Sequence, residues 1–182
     1  ALIDALAAAG PRAAEAVAGG ARLWRLSAEA AEAGGPGLLG AEQPADVAGS
    51  DMDLVRKAHW AIDKVTHDLS DHRFAFNTAI AAVMELVNDA SRVHEQGDGD
   101  PRALRFALAT ASSLLFPFAP HVSSDGYHLL TGERVWEQPW PAADPDMLTS
   151  DVYELVCQVN GKVRDRLPAA ADADRDALEA LA

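Results

Sequence analysis

Apolar positions recur at helical spacing through most of this chain and alternate only toward its end. Residues 11–33 (PRAAEAVAGGARLWRLSAEAAEA) are alanine-rich, with Val17, Leu23, Trp24 and Leu26 as an apolar stripe, which predicts a helix that Gly19 and Gly20 interrupt. Residues 34–50 carry Gly and Pro at a density no helix tolerates and read as an exposed loop. Ser50 reads as the N-cap of a second helix running to about Leu69, with Asp51 and Asp53 set against its positive end. Leu54, Ala58, Ala61, Ile62, Val65 and Leu69 lie on one side of it.

After a break around Asp71–Phe74, a third helix is expected from near Asn77, with Asn77 as its cap and Ala79, Ile80, Val83, Met84 and Val87 on its inner face. Phe74, Phe76 and Leu86 are read as core beside them. GDGDP (97–101) ends that helix and starts a fourth: Asp100 is the expected N-cap, and Pro101 takes the first helical position, where its missing N–H costs nothing. Leu104, Leu108, Ala111, Leu114 and Leu115 line the fourth helix, which Pro117 and Pro120 should terminate. A fifth covers about His121–Leu130 and stops at Thr131–Gly132. Residues 133–150, with three prolines and two tryptophans, read as an extended linker pinned by Trp136 and Trp140. Val152–Val159 is then β-rich, and Asn160–Gly161 is a strong hairpin signal before Lys162–Leu167. DADRDALEALA (172–182) reads as a following helix. The fold class expected is mainly α: a helical domain over 1–150, then the truncated beginning of a small α/β domain over 151–182.

A chain of 182 residues can bury one good-sized core, and no apolar run approaches the ~18 residues that cross a bilayer, so no membrane partner is expected. The start, ALIDALAAAG, lacks Met and the pattern of a signal peptide, and reads as a cut end. One cysteine, Cys157, permits no internal disulfide and fits a cytoplasmic protein. A net charge of −13 argues against a surface that binds nucleic acid everywhere. The excess acid lies in 28–55 and 135–161, while bases cluster elsewhere: Arg22 with Arg25; Arg56, Lys57, Lys64 and Arg73; Arg102 with Arg105; Lys162, Arg164 and Arg166. Taken by itself, each cluster reads as a solvated helix face.

No complete active site is visible. His59, His67 and His72 lack a Cys partner and the i, i+4 spacing of a helical zinc pair, and the histidines read as surface or capping residues rather than metal ligands. The carboxylates fall in solvated runs, with no isolated pair in an apolar setting. Neither a phosphate loop nor a GxGxxG run occurs, and Ser112–Ser113 and Ser123–Ser124 have no nucleophile-elbow context.

Two stretches are more particular. One is Lys57-Ala-His59-Trp-Ala-Ile62-Asp-Lys64-Val-Thr66-His-Asp68, followed by Arg73-Phe-Ala-Phe76-Asn77-Thr-Ala-Ile-Ala-Ala-Val-Met84-Glu85-Leu-Val-Asn88; the other is Gln158-Val-Asn160-Gly161-Lys162-Val-Arg164. Leu115-Phe-Pro117-Phe-Ala-Pro120-His121 and Trp140-Pro141-x-x-Asp144-Pro145 lie between them. In this order and spacing, over roughly residues 20–182, they resemble the leucyl-tRNA synthetases, class I aminoacyl-tRNA synthetases.

The resemblance implies a tRNA-positioning helical bundle of the anticodon-binding type, then the first hairpin of a small C-terminal domain. It places the HIGH and KMSKS motifs of catalysis in an upstream nucleotide-binding fold, so this chain by itself is expected to be inactive and to hold no cofactor. ATP and magnesium would belong to the parent ligase, which joins leucine to its tRNA through leucyl-adenylate. The implied partners are tRNA and the catalytic and editing domains of the same polypeptide, in a monomeric enzyme. Arg22, Arg25, Lys57, Lys64, Arg73, Lys162 and Arg164 become the candidate phosphate contacts. Two alternatives stay open: a helical adaptor whose apolar grooves take a partner protein, and the same domain from a valyl-, isoleucyl- or methionyl-tRNA synthetase.

Overall fold

The computed structural model describes residues 11–33, 40–70, 75–148, 152–159 and 162–170, with side chains described for 19–33, 40–70 and 75–148. The expected break around 71–74, the Asn160–Gly161 turn and the helix expected over 172–182 lie outside the described residues. The chain divides into two compact units, Ala1–Asp144 and Pro145–Ala182.

The first unit contains helices α1 (Pro11–Ala33), α2 (Ser50–Leu69), α3 (Phe76–Gln96), α4 (Pro101–Leu115) and α5 (Pro120–Thr131), then a 3-10 turn at Val135–Glu137. Among the described residues no helix is long and apolar enough to cross a membrane. Each helix contributes its apolar face to one core: Leu23 and Leu26 from α1, Leu54, Ile62 and Val65 from α2, Val83, Leu86 and Val87 from α3, Leu108 and Leu114 from α4, Leu130 from α5. Fully burying each such leucine stabilises by about 1.5–3 kcal/mol. Alanines fill the positions between them: Ala58, Ala61, Ala79, Ala82, Ala90, Ala107 and Ala111 are at most 2 % exposed. Small side chains at a crossing let helix axes approach toward the close end of the usual 8–10 Å range.

Several local expectations are corrected by packing. Gly19 and Gly20 do not interrupt α1, which runs continuously through them. An added Cβ on Gly19 would lie 2.0 Å from the Met84 sulfur, so the glycine allows α1 to press onto α3. Glycine disfavours a helix interior by roughly 1 kcal/mol, a cost α1 tolerates at this position. Trp24 leaves the stripe: it is 46 % exposed while Leu23 and Leu26 are buried. Ser50 is the first residue of α2 rather than its cap. Gly49 caps it at φ 59, a left-handed conformation that glycine adopts without strain. Asp51 and Asp53 do occupy the first turn, and the Asp51 carboxylate accepts from the Asp100 N–H at 3.0 Å, joining the starts of α2 and α4.

Asn77 is likewise no cap. Ala75 holds that position, and Asn77 lies exposed in the first turn of α3. Thr78 makes the local bonds instead, donating to the Ala75 carbonyl and the Asp68 carboxylate. Phe76 is 52 % exposed rather than core, set edge-on to Phe118, whereas Leu86 is buried and Ile80 and Met84 are half-buried. At the start of α4, Asp100 caps as expected, accepting from the Arg102 N–H at 2.8 Å, and Pro101 is the first helical residue. Pro120 begins α5 instead of ending α4.

The segment after α5 folds back as a strap over residues 133–144. Val135 is its buried anchor; Trp136 and Trp140 are 56 % and 42 % exposed and hold it from above. Trp136 stacks on Phe116, and the Trp140 indole donates to Thr66 of α2 at 2.8 Å. The loop over 40–49 is only partly exposed, with Pro44 buried.

In the second unit, α6 (Pro145–Leu148) is one turn, and β1 (Val152–Val159) pairs antiparallel with β2 (Lys162–Ala170). The register is Val152↔Ala170 at one end and Val159↔Lys162 at the other, with an irregularity between Cys157 and Gln158.

Candidate nucleic-acid interface

A surface that holds RNA needs cations whose charge is not consumed by neighbouring carboxylates. The seven candidate bases differ in this respect.

On α1, Arg22 and Arg25 are both exposed. Arg22 donates to the Asn88 side-chain oxygen on α3, a neutral partner that fixes the guanidinium and leaves its charge intact. Arg25 pairs with no carboxylate among the described residues, and the same holds for Arg56 on α2.

On α2 the two lysines lie seven residues apart and therefore on one side, as their spacing predicts. Each is engaged. Lys57 Nζ is 2.7 Å from the Glu85 carboxylate and 3.5 Å from the Trp60 ring centroid, which leaves 24 % of its side chain exposed. Lys64 Nζ lies 2.6 Å from Asp68, a carboxylate only 2 % exposed. Hydrogen bonds from Lys64 and Thr78 hold the Asp68 carboxyl below the usual carboxylate range, against the opposing effect of its burial. Lys64 therefore neutralises a buried acid as well as facing solvent.

Arg73 lies outside the described residues. Lys162 and Arg164 are on β2, whose side chains are not described; in the pairing, Lys162 opposes Val159 and Arg164 is skipped at the irregularity. The remaining bases separate in kind. Arg92 pairs with Asp89, and Arg102 with both Asp46 and Asp100. Arg105, expected on a solvated face beside Arg102, is 1 % exposed and donates to the carbonyl oxygens of Ala30 and Gly40 at 3.2 and 3.3 Å and to that of Leu130. Desolvation lowers its basicity.

The histidines also sort by burial. His59, expected at the surface or as a cap, is 3 % exposed, tilted against Phe106, and bonded through both ring nitrogens. Burial lowers its basicity, opposed by the nearby Asp144 carboxylate. His94 sits 3.1 Å from Glu29. Among the described residues no group of three or more His, Cys, Asp or Glu is arranged to hold a metal.

Sequence reasoning missed Asn88, Glu85 and Trp60 as partners of candidate bases. Asp68 carried a local signal, its i, i+4 spacing from Lys64. Trp60 lies at i, i+3 from Lys57 on the same helix, whereas Asn88 and Glu85 act across helices and have no local signal.

Comparison with known proteins places this arrangement. The family model for the anticodon-binding domain of tRNA ligase matches residues 51–179. The leucine–tRNA ligase of Alcanivorax borkumensis is 43% identical over 162 residues, 88% of this chain and 19% of its own length. That of Synechococcus sp. (strain CC9605) is 41% identical over 162 residues, 88% of this chain and 18% of its own length. Among solved structures, a LeuRS–tRNA–LeuAMS ternary complex from Agrobacterium radiobacter K84 superposes with a TM-score of 0.66 at 27% identity, over 89% of this chain and 20% of that one. The chain thus spans about a fifth of the length of the curated relatives it matches. With the family model covering α2 through both strands, this chain belongs to the anticodon-binding domain family of the tRNA ligases.

Proposed function

We propose that this chain is the tRNA-holding part of a leucyl-tRNA synthetase. The observation that carries the reading is the identity of about 40% to leucine–tRNA ligases over 88% of the chain, which favours leucine over valine, isoleucine or methionine. In this reading the parent enzyme joins leucine to its tRNA using ATP and magnesium, which belong to its nucleotide-binding catalytic domain, and the catalytic and editing domains of the same polypeptide are partners of this bundle. The bundle contributes position: arginine and lysine contacts to phosphates set the register of the folded RNA. Arg22 and Arg25 are the best placed of the candidates, being exposed and unpaired with carboxylate among the described residues. Lys57, Lys64, Arg73, Lys162 and Arg164 complete the set, and the two strands are read as the beginning of a small α/β domain. A monomeric, cytoplasmic enzyme fits the reading.

The experiment is binding of leucine-specific tRNA to this chain and to the parent ligase over 50–200 mM salt. For Z neutralised phosphates, the logarithm of affinity should fall against the logarithm of salt with a slope of about −0.9Z in duplex regions. Replacing Arg22 and Arg25 with Gln should reduce that slope in the parent enzyme by about one unit for each lost phosphate contact. An unchanged slope and unchanged charging kinetics would remove these residues from the interface. Salt-indifferent capture of an apolar protein segment, with no tRNA binding, would favour a helical adaptor instead.

A further inference from the structure

His59 is a buried histidine that no part of RNA positioning uses, and its hydrogen bonds are specific about its charge. The Asp144 backbone N–H points at Nδ1 over 3.1 Å. A backbone N–H can only donate, so Nδ1 must present a lone pair. The ring proton then resides on Nε2, which donates to the Gln43 side-chain oxygen at 2.9 Å. One neutral imidazole on α2 therefore fastens the 40–49 loop on one side and the last residue of the strap on the other. A second proton would set N–H against N–H at the Asp144 contact and bury a cation beside Phe106.

We propose that His59 is a proton-sensitive latch on the C-terminal end of the strap: the neutral ring holds the Asp144 backbone against α2, and protonation breaks that bond. The extent of the release follows from what else holds the strap. Val135 is buried, Trp136 stacks on Phe116 and Trp140 is bonded to Thr66, so the strap before Pro141 keeps its anchors. Beyond Trp140, Ala143 makes a partial apolar contact with the core, and the Asp144 N–H donates to His59.

The charged groups on the elements around the ring are Asp144 on the strap, Glu42 and Asp46 in the loop, Arg56, Lys57 and Asp63 on α2, and Arg102 and Arg105 on α4. Lys57 is paired with Glu85, Arg102 with Asp46 and Asp100, and Arg105 with carbonyl oxygens. Asp144 is the charge that acts on the imidazole, and it favours the proton; burial opposes it and is the larger effect. The folded-state value thus lies below the unfolded one of about 6.5. Latch stability is present above that pH and is lost as pH falls below it.

The test uses this chain alone, without RNA, so its outcome is independent of the proposed function. Nuclear magnetic resonance from pH 7.5 to 5 would follow the His59 ring, the protection of the Asp144 amide against hydrogen exchange, and the Trp140 indole N–H as a reference for the rest of the strap. The expected result is that Asp144 protection falls by up to about tenfold per pH unit as pH drops from about 6.5 to the His59 midpoint and levels off below it, with the helices and the Trp140 signal retained. Titration of His59 with constant Asp144 protection would overturn the latch, as would a ring that stays neutral until the whole unit unfolds. His59→Asn, whose side-chain oxygen can accept at the Nδ1 position, should hold the strap with pH-independent protection. The same pH-dependent loss in that variant would also sink the proposal.

Discussion

The Arg105 guanidinium donates to the carbonyl oxygen of Leu130, one residue before the end of α5, and also reaches the Ala30 carbonyl near the end of α1. A single cation thereby satisfies the terminal carbonyls of two helices, where the helix dipoles favour positive charge. It also ties in the 40–49 loop through Gly40. Arg105→Leu keeps apolar bulk but orphans these acceptors and should destabilise the chain by at least about 1–3 kcal/mol in urea unfolding. A loss under about 0.5 kcal/mol, the low end for a single hydrogen bond, would mean the carbonyls find other partners.

Gly19 sets how closely α1 approaches α3. Gly19→Ala should gain about 1 kcal/mol of helix propensity but lose about 1–3 kcal/mol to the collision with Met84, for a net fall in melting temperature. Met84→Ala in the same chain should restore part of it, because the obstructing atoms belong to that side chain. Equal stability of Gly19→Ala and the parent would show that Met84 swings away at no cost.

Asp68 should contribute to the acid limb of stability. Its folded-state pKa is lowered by Lys64 and Thr78, so its contribution is present above the unfolded value of about 3.9 and is lost as pH falls through the lower folded value. Asp68→Asn should destabilise at pH 7 and flatten the stability curve below about pH 4. A parallel curve would exclude this carboxylate as a contributor. By the same contact, Lys64→Glu would set two acids face to face and confound any RNA-binding measurement, so Lys64→Gln is the cleaner substitution.

Glu85 restrains Lys57. If Lys57 contacts phosphate, Glu85→Gln should strengthen tRNA binding and steepen its salt dependence by releasing that charge, while Lys57→Gln should do the reverse. Exposed pairs of this kind contribute only about 0–1 kcal/mol to folding, so stability should be nearly unaffected by either change. No shift in slope in either variant would place Lys57 outside the interface.

The helices of this protein were legible in sequence because what makes them is local. Asp100 and Pro101 are capping chemistry within one turn, and Leu104, Leu108, Leu114 and Leu115 follow a periodicity that any helix must bury. The order of motifs from Lys57 to Arg164 likewise sufficed to point to the tRNA ligases. Tertiary structure decided the rest. Whether Gly19 breaks a helix or joins two depended on Met84, 65 positions away in sequence. Arg105 and Arg102 look alike along the chain, yet one is buried among carbonyl oxygens and the other lies between two aspartates. His59 and Lys57 took their roles from Asp144, Gln43 and Glu85 on other elements. Hydrogen bonds and charge pairs act over about 3–4 Å. Which distant residues come within that reach is set by how the helices cross, and the periodicity of one helix carries no information about it.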